Sequence, residues 1–332
     1  MESQEGSCDR SADDPHTRHG PLIRALTQGL ARTYASIIPT FTYDGTHNPR
    51  RMLTKPSRGV GNDGRDNESC DLIVQVNQHL LSERGHCFCV EDLQGQGAFG
   101  YVFRCRRDSE LVAVKVIKNR PNYFNAALSE IHLLQLLNKA QAERGVEVLV
   151  RMHECFVYRR HLCIVFELLG CNLYDMLRHR GHRGLPLRLV RSICAQLLCA
   201  LELLGSRGVV HCDLKPENVL LVGGASVERC THVRLIDLGS AMRLKPDTKG
   251  QPQRRQTYVQ SRFYRAPEVL IGAPFSLPID MWSLGCICAE LVLGTPLFAG
   301  ESEFHQLLHI ARLRGQLPEH MLLAGRNTRR FY

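Results

Sequence analysis

The stretch His211–Leu221, HCDLKPENVLL, decides how the rest of the chain is read. It sets an acid (Asp213), an amine (Lys215) and an amide (Asn218) within six positions, ahead of an apolar run with the look of a strand. Polar residues in a loop are often turn formers. They are also what transfer of a charged group needs: a carboxylate to accept or orient a hydroxyl proton, a cation to neutralise charge, an oxygen ligand for a metal.

Working outward, Asp237 in LIDLG stands 19 positions past Asn218, at the end of another short strand. It suits a turn, or a metal that bridges phosphates. Upstream, GQGAFGYVF carries Gly95, Gly97 and Gly100 between two strand-like runs. Glycines let backbone N–H groups approach phosphate oxygens, although a plain β-turn fits as well. A doubly wound dinucleotide motif would open a helix, whereas this one opens YVFRC. Lys115 in VAVKVI reads as an edge lysine in water, or as a cation over nucleotide phosphates. Glu130, in the following helical segment, is a solvated face residue or the carboxylate that holds that lysine.

Composition narrows the class. The 332 residues include 42 Lys and Arg against 33 Asp and Glu, a formal +9 that attracts anionic partners without choosing among them. The cations read as scattered, with no aromatic-interleaved basic face, so no specific nucleic-acid partner is expected. Fourteen cysteines show no C-x-x-C pair or zinc spacing, and the polar start MESQEGSCDRSADDPHTRHG lacks a secretory signal. Reduced thiols in the cytoplasm or nucleus are expected, with no membrane partner. Residues 1–20 read as disordered; from Cys89 short β-branched runs alternate with turns. NAALSEIHLLQLLNKAQ is helical, with Leu128, Ile131, Leu134 and Leu137 on one stripe. Beyond Gly170 helices dominate, and PIDMWSLGCICAELVLG is apolar enough to lie at the centre of a lobe.

Gly-loop, VAVK, helix Glu, HCDLKPEN, DLG and APE, in that order, form the signature set of protein kinases. With HLCIVFELLGCNLYDML, YVQSRFYRAPEVLIG and IDMWSLGCICAEL, the chain resembles the CMGC group. More narrowly it resembles the dual-specificity tyrosine-regulated (DYRK) kinases and their Yak-type branch. HNPRRMLTKPSRGVGNDGRDNESCDLIVQVN, ahead of the catalytic region, extends the likeness to roughly residues 25–332.

The resemblance implies an α+β, bilobal fold: a family-specific extension over 21–88, a β-rich N-lobe over 89–169 and a helical C-lobe over 170–332. It implies ATP and Mg2+ as cofactors and protein Ser/Thr hydroxyls as acceptors, in a monomeric signalling phosphoprotein. Gly95, Gly97 and Gly100 would cover the phosphates, and Val102 would roof the adenine. Lys115 and Glu130 would be the nucleotide-positioning pair. Phe166 would be the gatekeeper, with Glu167 and Leu169 meeting adenine through their backbones. Asp213 would be the base, Lys215 the phosphoryl contact, Asn218 and Asp237 the metal ligands, and Asp280 the tether of the catalytic loop.

Cys212 stands where many kinases keep a phosphate-binding arginine. Tyr258 would instead be autophosphorylated, and Arg262 and Arg265 would pair with its phosphate. Leu238 replaces the usual phenylalanine, Gln256 the family's first activation-loop tyrosine, and AMRLKPDTKGQPQRR lengthens the activation segment. At Tyr332 the resemblance leads one to expect further helices, with an arginine for Glu268 and more cover for helix 278–293. A truncated pseudokinase or scaffold that binds without turnover is the alternative.

Overall fold

The computed structural model describes Leu26 and residues 30–38, 40–42, 51–223, 232–244 and 258–332. It divides into units 1–50 and 51–332. In the first, helix α1 (Leu30–Ile37) is followed by a Tyr34–Phe41 ring contact at 5.4 Å. The expected disorder of 1–20, Gln256 and most of the basic activation-segment insertion lie outside the described residues.

In the second unit, six antiparallel strands form one sheet in the order β1-β2-β3-β4-β6-β5. They are β1 (His79–Leu81), β2 (Cys87–Gly97), β3 (Gly100–Arg107), β4 (Glu110–Ile117), β5 (Met152–Tyr158) and β6 (His161–Glu167). Alternation sorts their side chains between the faces. Phe88, Val90, Phe103, Cys105, Val112 and Val114 are wholly buried on one face, where Leu53, Leu72, Val74 and Leu80 of the extension cover them. The extension is therefore part of the first lobe's core, and its β1 supplies an edge strand.

Helix α2 (Pro121–Arg144) packs on the other face, where Ala127 and Ile131 meet Ile117, Leu162 and Ile164. Proline occupies its first turn, and Gly145 ends it in the left-handed region at φ 63°. Leu128 is 37% exposed, contrary to the expected stripe. At 100° per residue a strict three-residue spacing drifts around the helix, so Leu128 rolls off the face that buries Ile131, Leu134 and Leu137.

A polar knot fastens the extension to the sheet. His161 is fully buried, its Nε2 2.8 Å from Asp66 Oδ1 and its Nδ1 2.7 Å from Ile117 O. Asn119 donates to Asp66 Oδ2 at 2.9 Å, just ahead of α2. Burial works against the Asp66 carboxylate, but donors on Asn119, Asn62 and His161 outweigh it and hold its pKa below the ordinary value.

The second lobe is built on α3 (Leu173–His179), α4 (Leu187–Ser206) and α6 (Pro278–Leu293), with the short α5 (Pro267–Leu270) and α7 (Glu303–Arg314) beside them. Ile193, Leu197, Leu203, Leu204, Ile287 and Leu291 share one core. Helix α6 is central as expected, yet Met281, Val292 and Leu293 are 49%, 43% and 56% exposed. Glu268 is half-buried and lines a cavity of 360 Å³ with Phe275 and His320; desolvation raises its pKa. No helix among the described residues is long and apolar enough to cross a membrane.

Candidate active site

A cleft of about 360 Å³ is lined by Gly95, Gly97, Gly100, Val102, Lys115, Glu130, Phe166, Glu167, Leu169, Asn218 and Asp237, which is most of the expected set. Strand pairing explains part of the convergence. The β2–β3 hairpin carries the glycines, and its register on β4 sets Val102 opposite Lys115 and Gly100 opposite Ile117. A Cβ on Gly100 would stand 2.0 Å from Val116 O, at φ +145°, so that position excludes other residues. Gly95 and Gly97 have nothing within 4 Å of such an atom, which leaves their backbone open to a ligand.

Lys115 Nζ lies 2.9 Å from both Glu130 oxygens and 3.6 Å from Asp237 Oδ1. Burial opposes the ammonium, but the two carboxylates outweigh it and raise the Lys115 pKa. Burial also raises Glu130, with Lys115 offsetting only part. The two directions pull against each other, and the charged lysine is the one that stands, because it has two anionic neighbours and Glu130 has one cation. Phe99, which sequence reasoning passed over, lies with its ring 5.8 Å from Nζ. Its only signal was an aromatic inside a glycine loop.

Asn218 and Asp237 are set by a second hairpin. Asn218 precedes β7 (Val219–Leu221) and Asp237 follows β8 (Val233–Leu235), and the antiparallel pairing of Val219 with Leu235 makes them neighbours. The N–H of Ile236 donates to Asn218 O at 2.9 Å. Asp237 adopts φ +60°, and despite burial Lys115, then His211 and the Gly239 N–H, hold its carboxyl below the usual range. An ionised carboxylate beside an amide suits a hard cation. Among the described residues no group of three or more ligating side chains is arranged to hold a metal alone.

Asp213 and Lys215 stand outside that lining, on the loop leading to Asn218. Asp213 Oδ2 accepts from Lys215 Nζ at 2.7 Å, and Oδ1 accepts from the Ser261 hydroxyl at 2.8 Å and the Ser261 N–H at 3.1 Å. Asn218 Nδ2 donates to Asp213 O at 2.8 Å. Beneath the loop, the buried Asp280 of α6 accepts the N–H groups of His211 and Cys212 at 2.6 and 3.1 Å, the tether expected of it. His211 Nδ1 accepts from the Asp213 N–H while Nε2 donates to Ile236 O, which ties this loop to the one bearing Asp237. Ser261 was also missed: it is 48 positions from Asp213, and no local pattern joins them.

Cys212 is buried against Ala266 and Ile279. Burial, then Asp280, pushes its thiol up to about 12, so it is an inert packing residue. Tyr258 is 71% exposed, and its ring lies over the Arg265 guanidinium at 3.8 Å. Arg265 is itself buried, donates to Val259 O and Gln260 O, and lies 3.4 Å from Glu303. Arg262 turns toward Glu301 O at 2.7 Å. The structure thus brings Arg265 to Tyr258 but points Arg262 elsewhere.

The family model described as "Protein kinase domain" matches residues 88–323. The serine/threonine-protein kinase ppk15 of Schizosaccharomyces pombe is 43% identical over 320 residues, 96% of this chain and 58% of that protein. The dual specificity protein kinase YAK1 of Saccharomyces cerevisiae is 42% identical over 94% of this chain and 37% of its own length. For the Arabidopsis thaliana YAK1 homolog the figures are 44%, 94% and 32%. The chain thus spans between 32% and 58% of these relatives.

Proposed function

The chain belongs to the protein kinase family, within the Yak-type dual-specificity branch, and from that premise we propose that it moves the terminal phosphoryl group of ATP to protein hydroxyls. The acceptors are Ser and Thr of other proteins and Tyr258 of the chain itself, with Mg2+ as the divalent ion.

The observation that carries this reading is the Asp213 carboxylate, which already accepts a hydroxyl, that of Ser261, with a lysine ammonium 2.7 Å away on its other oxygen. A substrate hydroxyl in the place of Ser261 Oγ would be oriented and relieved of its proton by Asp213 as its oxygen bonds to the terminal phosphorus of ATP and the bond from that phosphorus to the departing ADP oxygen breaks. Lys215 stabilises the negative charge that gathers beside it. Lys115, fixed by Glu130, holds phosphate oxygens from the other lobe, and the open backbone at Gly95 and Gly97 covers them. Asn218 and Asp237 would hold Mg2+, which would neutralise phosphate charge there. Asp280 keeps the loop in register through its two backbone bonds.

Arg265 supports the assignment of Tyr258, since a guanidinium already in contact with the ring is placed for a charge-assisted bond to a phosphate. The kinase names of the relatives and the Lys115–Glu130 and Asp213–Lys215 pairs support this reading over the alternative of a non-catalytic scaffold.

The test is to purify the chain beside Lys115→Met, incubate both with ATP and Mg2+, and map phosphate by peptide mass spectrometry. Phosphotyrosine at Tyr258 in the wild type alone is expected. A soluble, ATP-binding wild type with bare Tyr258 and no transfer to a generic basic protein would overturn the reading.

A further inference from the structure

The cations are not scattered as the sequence reading has it. The segment Arg178–Arg191, RHRGHRGLPLRLVR, contains Arg178, Arg180, Arg183, Arg188 and Arg191, with two histidines and no acid, so it carries +5 of the chain's formal +9. It runs from the end of α3 through a loop into the first turns of α4. Arg178, His179, His182, Arg183, Arg188 and Arg191 are all exposed.

Three features distinguish this surface from an ordinary solvated face. First, of these five arginines only Arg178 has an ion-pair partner among the described residues, Asp175 at 2.9 Å, whereas elsewhere Arg104 and Arg106 share Glu91. Second, Arg180 Nε is buried with no hydrogen-bond partner among the described residues, a donor whose desolvation none of them offsets. Third, the loop is rigidly seated. The Leu185 N–H donates to Leu291 O at 2.7 Å, a Cβ on Gly184 would stand 1.8 Å from Val292 O, and one on Gly294 would stand 1.9 Å from His182 O. A clamped backbone fixes where each arginine side chain leaves the surface, so only side-chain ordering opposes binding.

We propose that this surface docks an acidic segment of a polypeptide partner, apart from the cleft where phosphoryl transfer takes place. The chemistry of the strip favours peptide over nucleic acid. Leu187, 69% exposed, sits between Pro186 and Arg188, which mixes an apolar contact into the cationic row. A polyphosphate backbone has no use for that contact, whereas an acidic peptide with an apolar side chain does. The position fits a protein substrate as well: Asn172 lines the cleft, and α3 begins at the next residue. The choice of partner rests on the kinase reading. The binding itself does not, so an assay without turnover separates failure of one from failure of the other.

The probe is a fluorescein-labelled deca-glutamate peptide with one leucine, titrated by anisotropy into the chain and into Arg183→Glu/Arg188→Glu/Arg191→Glu. Labelled oligothymidylate of equal charge runs beside it. Roughly tenfold or greater loss of peptide affinity in the variant, with ATP-analogue affinity kept, is expected, as is weakening of wild-type binding by added salt. Should the triple variant fail to fold, Arg188→Gln/Arg191→Gln serves, with a smaller loss expected. Equal peptide affinity in wild type and variant refutes the docking surface. Tighter binding of oligothymidylate than of peptide, lost in the same variant, overturns the choice of partner in favour of nucleic acid.

Discussion

Replacing Lys115 by methionine should weaken the folded state as well as abolish phosphoryl transfer, and the cause lies in Glu130. Both Glu130 oxygens are 2.9 Å from Nζ, and the two side chains are 14% and 4% exposed. Without the ammonium a buried carboxylate is stranded, with the anionic Asp237 nearby. Breaking a buried pair from one side costs about 3–5 kcal/mol. This pair borders an open cleft, so the lower end, about 3 kcal/mol, is expected. Protonation relieves part of that cost. Burial already holds the Glu130 pKa above 4.5 with Lys115 in place, and loss of the cation raises it further. A carboxyl whose folded pKa exceeds its unfolded one binds more protons when folded, so the variant loses stability as pH rises above 4.5. Adding Glu130→Gln removes the stranded charge and should restore about 2 kcal/mol at neutral pH without restoring activity. Urea unfolding of wild type, Lys115→Met and the double variant, at about pH 5 and about pH 8, measures this directly. If the single and double variants unfold at the same urea concentration at both pH values, the cost belongs to lost packing and the stranded-carboxylate argument fails. If the double variant is the more stable of the two, as expected, it is also the better inactive control for phosphate mapping.

Two further outcomes follow from the geometry. Asp280→Ala orphans the buried N–H groups of His211 and Cys212 and should cost about 2–4 kcal/mol in thermal unfolding, while Asp280→Asn, which keeps one acceptor, recovers part. Gly100→Ala puts a methyl 2.0 Å from Val116 O and should weaken ATP-analogue binding roughly tenfold or more by prising the hairpin from β4; Gly95→Ala, with open space around it, should leave unfolding almost unchanged.

Much of the site could be read from the sequence because its parts are close along the chain. Asp213, Lys215 and Asn218 fall within six positions, so one loop must hold them together whatever surrounds it. The alternation in VAVKVI places Lys115 on the face opposite the buried Val112, Val114 and Val116, and the spacing of Asn218 and Asp237 about two short strands is what a hairpin requires. Leu128 shows the limit of the same logic, for a stripe three residues apart looks continuous in sequence and drifts on a real helix.

The sequence by itself determined the candidate groups and the lobe that bears each, since local periodicity and short motif spacing are properties of neighbouring residues. Only the tertiary structure decided that residues 53–80 seal the outer face of the sheet, that Ser261 occupies Asp213, that Arg265 and not Arg262 meets Tyr258, and that His161 binds an aspartate 95 positions away. Such partners are chosen by burial. Each polar group withdrawn from water must find an acceptor or donor wherever the packed chain supplies one, and its distance along the sequence has no part in that choice.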